Sequence, residues 1–393
     1  MKIVIVGAGG IGGWLGARLA AGGQRVAFLV HGATLEALRA GGLTLLERTG
    51  GPPGKVASRI EAPVVDADPA RLLDALGGTP DIVLVTTKVD AVAALADPLR
   101  ALTGASTGVV STQNGLTAPG LLADAVGAEH VLPGVARVYA SVVRRGTIAV
   151  LGTSGSLAVG EWGGTDSVRV RALVDALNAA GIRGWVPDSI WAELWRKAAF
   201  VVPQGGLGAL TDAPVGRLRT QLRDAYTAAV EEVVSVGQAL GHRLATPKAP
   251  DPVAAVLAMA DAQPPDATAS MQRDLAAGAP SELDAQVGAV VRAGDGADVP
   301  TPVLDLVAAV LGLTAWFHQQ FDKHLAWSHT LHRISYGLFF VSEPIILHSM
   351  WFLQPLAVAV WLKVVITVLI LAIYGYLLCR YALLHIPCFK SKG

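Results

Sequence analysis

The stretch KIVIVGAGGIGGWLGARLAAGG, residues 2–23, decides the fold of the first part of the chain. A short β-branched run is followed by three glycines in the spacing G-x-G-x-x-G, and a helical pattern comes after them. The first glycine permits a tight turn, the second lets a pyrophosphate approach the backbone, and the third lets helix and strand pack closely. Free backbone N–H groups at the start of the helix favour the binding of phosphate. The pattern predicts an α/β Rossmann-type dinucleotide-binding domain, with a ligand-free glycine loop as the alternative. The residues predicted to bind the cofactor there are Gly7, Gly9, Gly10, Ile11 and Gly12.

The second apolar strand, QRVAFLV at 24–30, ends at His31. A site specific for NAD usually has Asp or Glu at this point, where the adenosine ribose lies. Without an acid, a 2′-phosphate meets no repulsion, so the sequence favours NADP. We therefore predict that His31 belongs to the cofactor site, although a solvated loop residue fits the same position.

Two further strands end in polar residues, DIVLVTTKVDA at 81–91 and GVVSTQNGL at 108–116. Ligands of an open parallel sheet lie at the carboxyl ends of its strands. Lys88 and Asn114 are therefore expected near the nicotinamide, against the alternatives of a surface lysine and an Asn-Gly turn. The shorter strands after residue 130 suggest a mixed extension of the same sheet.

From residue 168 the apolar period becomes helical, which predicts a dinucleotide-binding domain over 1–167 and an all-α substrate domain over 168–312. Within it, WRKAAFVVPQGG (195–206) places Lys197 in an apolar helix, and Asp188 is the expected N-cap. A lysine in such a helix usually extends its ammonium to the surface. The alternative is that Lys197 faces a cleft between the domains, the usual place for a substrate.

The order of GAGGIGG, TTKVDA, STQNGL, WRKAAF, ASMQRDLAAGAPSELD and DVPTPVLDLV resembles the ketopantoate reductase family over residues 1–312. The resemblance implies NADPH-dependent reduction of 2-dehydropantoate, a small keto acid. It also implies Lys197 as general acid, Glu282 as its carboxylate partner, Asn114 at the junction of nicotinamide and substrate, Lys88 near the cofactor, and Ser270 on the substrate.

Two positions depart from that family. It usually has asparagines four and eight residues after the lysine, where this chain has Val201 and Gly205. Those asparagines bind the hydroxy acid, so weak activity on ketopantoate is expected, and the identity of the keto acid is left open. The arginine usual after the second strand is replaced by His31.

Composition argues against a nucleic-acid partner and marks a boundary between two parts of the chain near residue 313. Lysine and arginine together number 31, as do aspartate and glutamate, so nucleic acid is not expected. Six of the nine histidines and both cysteines lie after residue 313. This histidine-rich region, WFHQQFDKHLAWSHTLHR at 316–333, has no pattern typical of a zinc site, and we predict no metal there.

The last eighty residues predict a membrane segment. The stretch 355–379 carries one charge, Lys363, and is long enough to cross a bilayer; 334–354 is apolar but contains Glu343 and His348. We expect an amphipathic connecting helix over 313–333, then a hairpin or anchor over 334–393 that contacts lipid through 334–384 and ends in a basic tail. The reductase part is expected on the cytoplasmic side, with a homo-oligomer or a membrane protein as a further partner. The alternative is a fusion in which the reductase fold is a scaffold or sensor and the membrane segment carries the biological role.

Overall fold

The computed structural model describes residues 1–48, 54–151, 155–164 and 166–321, together with Leu362, Ile366, Leu369, Ile370 and Ile373. The chain divides into two compact units, Met1–Gly312 and Leu313–Gly393. The two largest hydrophobic clusters of the first unit lie in separate segments of the chain. We call the elements around them the N-terminal lobe (residues 1–185) and the helical lobe (residues 190–312).

The N-terminal lobe begins with alternating strands and helices. They are β1 (Lys2–Val6), α1 (Gly10–Ala21), β2 (Arg25–Leu29), α2 (Gly32–Gly41), β3 (Leu43–Arg48), β4 (Lys55–Ile60), β5 (Val64–Asp66), α3 (Pro69–Leu76), β6 (Ile82–Val85), α4 (Ala96–Leu102), β7 (Gly108–Ser111), α5 (Ala118–Val126) and β8 (Val131–Leu132). Six of these strands form one parallel sheet in the order β5-β2-β1-β6-β7-β8. The order reverses at β1, so the sheet is doubly wound and its ligand crevice lies at the end of β1. The Rossmann-type fold expected from the sequence is confirmed.

Helix α1 packs directly on this sheet because glycines remove side chains from the contact. A Cβ on Gly12 would collide with the carbonyl oxygen of Gly7 and with Oγ1 of Thr86, and one on Gly16 would collide with the ring of Phe28. Trp14, Leu15 and Leu19 fill the remaining space and are buried. The fingerprint therefore fixes the distance between the first strand and the first helix.

The later strands form two separate sheets, so the expected extension of the parallel sheet is wrong. Strands β9 (Gly134–Arg137), β12 (Ser156–Val159) and β13 (Arg183–Trp185) form one, in the order β13-β12-β9. Strands β10 (Ala140–Arg144) and β11 (Thr147–Leu151) form a hairpin that joins β3 and β4 in the order β10-β11-β3-β4. Strand β11 pairs with β3, about a hundred residues earlier, a long-range contact that the local pattern does not contain.

Helix α6 (Val168–Ala179) belongs to the N-terminal lobe, which moves the boundary between the lobes to about residue 188. Its buried residues Val170, Leu173 and Leu177 pack in the same core as Ile3 and Ile5. The sequence placed this helix in the substrate domain because its 3.6-residue period marks a helix but not the core that the helix covers.

The helical lobe consists of α7 (Ile190–Thr211), α8 (Val215–Leu218), α9 (Arg223–Ala239), α10 (Pro252–Asp261), α11 (Ser270–Ala276), α12 (Ala289–Gly296) and α13 (Pro302–Phe321). A π-helical turn at Asp284–Gly288 leads into α12. Helices α7 and α9 form the centre of the core, where Tyr226, Val202 and Val233 are fully buried. The expected all-α lobe is confirmed, and Pro302 begins its last helix.

The last described helix of this part, α13, runs from Pro302 to Phe321. The remainder of the predicted connecting helix, 322–333, lies outside the described residues, as does the first limb of the predicted hairpin and nearly all of the second. In the part of the chain that the structure describes, no helix combines the length and the apolar composition needed to cross a bilayer.

Candidate active site

A cleft of about 480 Å³ opens at the carboxyl ends of β1 and β2. Its lining comes from the glycine loop, from the start of α2, from the residues after β6 and from the β10–β11 hairpin. These residues are Val6, Gly7, Ala8, Gly9, Leu29, Val30, His31, Thr34, Thr87, Leu95, Val142, Arg144 and Arg145. The cleft therefore lies where the topology of the parallel sheet places a dinucleotide.

The glycine loop has the geometry that its spacing predicts. Gly7 has φ +91°, which only glycine adopts without strain. No side chain caps the start of α1, and a Cβ on Gly9 would have no atom within 4 Å. Gly10 lies beneath the carbonyl of Ala140, 2.8 Å from the position of a Cβ, and Ile11 is partly buried against the core. The loop presents open space and unpaired N–H groups.

A dinucleotide fits this cleft on two structural grounds. The space in front of Gly9 is the cradle that a single methyl group would fill. The hydroxyl of Thr87, which also lines the cleft, is buried without a hydrogen-bond partner among the described residues. A phosphate or ribose oxygen would satisfy that hydroxyl and the exposed N–H groups of α1. His31 lines the same cleft as the residue before α2.

Lys197 lies in the middle of α7. The N-cap of this helix is Ser189, one residue after the predicted cap Asp188. The side chain of Ser189 accepts a hydrogen bond from the N–H of Ala192 and caps the helix. Lys197 is only 9% exposed, and its Nζ donates a 2.7 Å hydrogen bond to the carbonyl of Ala136 on β9. The alternative in which this lysine extends to the surface is therefore excluded, since its ammonium is buried between the lobes.

The pKa of Lys197 is lowered from 10.5 to about 7, chiefly by burial. The guanidinium of Arg137 contributes to this lowering because a second cation disfavours the charged amine, and the carboxylate of Glu282 acts against both effects. A lysine with this pKa exchanges its proton near neutral pH, which suits a general acid. Arg137 itself is ion-paired with Glu193 at 2.7 Å and lies over the ring of Trp185.

Glu282 is also largely buried, and burial raises its pKa. Lys197 has the largest opposing effect, followed by a 3.2 Å hydrogen bond that Gln286 donates to the carboxylate. The backbone N–H of Val89 and the side chain of Asn114 face the same carboxylate and also lower the pKa. The structure thus brings together three of the residues predicted for the site: Lys197, Glu282 and Asn114.

Asn114 reaches this cluster because its turn is built into the helical lobe. Gly115 has φ +98°, and a Cβ there would collide with the carbonyl of Ala285. The N–H of Leu116 donates to that carbonyl at 3.3 Å. The Asn-Gly turn that the sequence offered as an alternative is present, and it positions Asn114 beside Glu282.

Lys88 and Ser270 are not part of the cluster. The ammonium of Lys88 bonds to Asp274 at 2.9 Å and to the carbonyl of Pro280 at 2.5 Å, so it connects the two lobes and does not line the cleft. Ser270 is exposed at the start of α11, and its side chain forms no hydrogen bond with another described residue. Its contact with a substrate stays a prediction.

The two positions where the family resemblance leads us to expect asparagine lie on the face of α7 beyond Lys197. Val201 is half-buried and Gly205 is buried. A Cβ on Gly205 would lie 2.8 Å from Cε of Met271 and 3.6 Å from Cβ of Ala269. The space that an asparagine would need is occupied by a methionine, so this side of the site is apolar.

Sequence reasoning did not identify four residues at the site: Arg137 and Gln286, which contact the Lys197–Glu282 cluster, and Arg144 and Arg145, which line the cleft. Arg137 acts on Lys197 from a segment about 60 residues away, whereas Gln286 bonds to Glu282, four residues before it. Arg144 and Arg145 also left a local signal, the doublet in SVVRRGT before a glycine turn, but a hairpin explains this doublet without any site. Nothing local indicates that this hairpin borders the cleft.

Comparison with known proteins gives the family. The N-terminal profile of "Ketopantoate reductase PanE/ApbA" matches residues 3–164, and its C-terminal profile matches residues 189–314. A 2-dehydropantoate 2-reductase of Mesorhizobium japonicum is 30% identical over 79% of this chain and 97% of its own length. The corresponding protein of Halobacterium salinarum is 29% identical over 80% of the chain and 98% of its own length.

A solved structure agrees with this assignment. The 2-dehydropantoate 2-reductase from Geobacter metallireducens superimposes with a TM-score of 0.71 at 26% identity, over 80% of this chain and all of that one. The two matched profiles together cover both lobes of the first unit. The chain therefore belongs to the ketopantoate reductase family.

Proposed function

We propose that the protein is an NADPH-dependent reductase of a 2-keto acid. The observation that carries the proposal is the burial of Lys197, with its lowered pKa, beside Glu282 and within one compact unit with an open dinucleotide cleft. Membership of the ketopantoate reductase family supports the same reaction class.

In this proposal Lys197 is the general acid. The reduced nicotinamide, when bound, supplies a hydride to the keto carbon, which leaves negative charge on the keto oxygen. The ammonium of Lys197 stabilises that charge and gives its proton to the oxygen. Burial makes the proton easier to donate because it lowers the pKa towards neutrality.

Glu282 and Asn114 position the acid. The carboxylate of Glu282 raises the pKa of Lys197 against the effect of burial, so that part of the lysine population is protonated at neutral pH. Asn114 and Gln286 face that carboxylate and favour its charged form. The buried surroundings also exclude water, which strengthens each of these interactions.

The substrate we propose is a 2-keto acid other than ketopantoate. Ketopantoate carries a hydroxyl group that needs a polar partner, and the face of α7 beyond Lys197 offers Val201 and Gly205 backed by Met271. Loss of hydrogen bonds to a substrate hydroxyl weakens discrimination strongly. A keto acid with an apolar side chain suits these residues.

Lys197→Ala is the test of the general acid. We expect kcat for keto acid reduction to fall by about two orders of magnitude or more, while NADPH still binds. Lys248→Ala, at an exposed lysine of the same lobe, is the matched control and keeps full activity. Turnover of every active keto acid at the unsubstituted rate would refute the role of Lys197.

A panel of 2-keto acids tests the substrate assignment separately. The expected result is a higher kcat/KM for acids with apolar side chains than for ketopantoate. Activity on ketopantoate that equals or exceeds the others would contradict it and leave the reductase assignment intact.

A further inference from the structure

The β10–β11 hairpin borders the adenosine end of the cleft and brings two arginines to it. Arg144 ends β10 and Arg145 follows in the turn, and both line the cleft with His31 and Thr34. His31 follows β2, and Thr34 lies in the first turn of α2. The adenosine ribose of a bound dinucleotide lies at this point of the fold.

Both arginines are free to bind a ligand. Each is exposed, and neither guanidinium forms a hydrogen bond or ion pair with another residue in the part of the chain that the structure describes. By contrast, Arg18, Arg39, Arg169 and Arg223 all pair with acids. No described residue that lines the cleft is acidic, so the charge of the hairpin is not neutralised there.

The hairpin is held firmly against the site. Its turn contains Gly146, with φ +80°, whose carbonyl accepts a 2.8 Å hydrogen bond from the N–H of Thr44. A Cβ on Gly146 would lie 2.9 Å from the carbonyl of Gly42, which directly follows α2. At its other end, Ala140 of β10 contacts Gly10 of the glycine loop. Strand β10 therefore runs from the pyrophosphate end of the cleft to the ribose end.

We propose that Arg144 and Arg145 bind the 2′-phosphate of NADPH, in place of an arginine after β2. The inference rests on the proposed use of a nicotinamide dinucleotide and adds the residues that select its phosphorylated form. A phosphate dianion matches the planar donors of guanidinium groups. His31 and Thr34 complete the site with a ring nitrogen and a hydroxyl group.

The test measures binding of NADPH and NADH to the full-length protein by titration calorimetry, independent of turnover. Arg144→Ala and Arg145→Ala are expected to weaken NADPH binding about tenfold each, and the double variant more, with NADH binding changed less than about threefold. Arg25→Ala, at the opposite end of β2, is the control and should change neither.

Two fragments of the cofactor sharpen the result. Adenosine 2′,5′-bisphosphate should compete with NADPH in the unsubstituted protein and lose this ability in the double variant, whereas 5′-AMP should compete equally in both. Equal weakening of NADPH and NADH, no weakening at all, or a preference of the unsubstituted protein for NADH would overturn the inference while leaving a dinucleotide enzyme. Failure of the unsubstituted protein to bind either dinucleotide would refute the proposed function as well.

Discussion

At the scale of single residues, the buried ammonium of Lys197 links the fold to the pH dependence of the reaction. With a pKa of about 7, Lys197 is protonated below neutral pH and loses its proton above it. In the proposed mechanism reduction needs the protonated form, so kcat/KM for the keto acid should fall as pH rises through about 7. Oxidation of the hydroxy acid needs the free amine and should rise over the same range. Steady-state rates in both directions check this.

Substitutions of two neighbours of Lys197 should shift the pH at which kcat/KM falls (the pH limb) in opposite directions. Arg137→Gln removes a cation that lowers the pKa of Lys197, so the limb moves to higher pH. Glu282→Gln removes the anion that raises the pKa, so the limb moves to lower pH. Glu193, the partner of Arg137, keeps its ion pair with Arg196, which limits damage to the fold. Shifts of the same sign would contradict this electrostatic account.

The sequence could indicate Lys197 but not its environment. A lysine among Ala, Phe and Val residues is unusual, and the family resemblance adds Glu282 and Asn114. Arg137 lies about 60 residues before Lys197, on strand β9, and nothing in the local pattern joins the two. Side chains that tune a pKa come from tertiary contacts, which periodicity does not encode.

At the scale of elements, the glycine motif has two separate roles: Gly9 leaves space for the cofactor, and Gly12 lets α1 pack closely on β1. Gly9→Ala adds a methyl group to open space, so the melting temperature should stay the same while NADPH binding weakens. Gly12→Ala pushes a methyl group into the carbonyl of Gly7, so the melting temperature should fall. Thermal denaturation and NADPH titration of both variants distinguish these outcomes. A stable Gly12→Ala protein would contradict the close packing of α1 on β1.

Helix α13 depends on a carboxylate from another helix. Glu232 of α9 is buried and accepts hydrogen bonds from the N–H groups of Val303 at 2.8 Å and Leu304 at 2.9 Å. Glu232→Ala leaves these donors without partners and should lower the free energy of unfolding by about 1–3 kcal/mol. Glu231→Ala, at the exposed neighbour, should change it by less than about 0.5 kcal/mol. Urea denaturation measures both, and equal losses would show that the cap contributes nothing.

Elements were easier to predict than their partners. The fingerprint gave β1, α1 and their contact, because each glycine has a local steric reason. Helix α6 was recognised as a helix but assigned to the wrong core. The pairing of β11 with β3 was missed, since a parallel pair of distant strands leaves no mark in either strand alone.

At the scale of the whole molecule, the first unit contains both lobes and every residue of the candidate site. Residues 1–321, which keep α13 complete, should therefore fold and bind NADPH when expressed alone. Circular dichroism and cofactor titration check this, with the full-length protein as reference. A fragment that folds but reduces no keto acid would favour the alternative in which this part is a scaffold or sensor.

The membrane hairpin proposed for the last sixty residues has its own test. If 334–354 and 356–379 both cross the bilayer, the basic tail with Cys388 lies on the same side as the reductase part. A membrane-impermeant thiol reagent added to intact cells should then leave Cys388 unlabelled, and label it after permeabilisation. Labelling in intact cells would contradict the hairpin.

The hydrogen bond from Lys197 to Ala136 has a consequence for how protons enter the reaction. Lys197 belongs to the helical lobe and its acceptor to the N-terminal lobe. The ammonium is therefore shielded from solvent only while the lobes are in contact. Any separation of the lobes rehydrates the amine and returns its pKa towards the ordinary value of 10.5, at which it takes a proton from the solvent. Bringing the lobes together again makes the same proton easy to give away. Each cycle of opening and closing would thus reload the acid from bulk water, without a proton-conducting chain of residues.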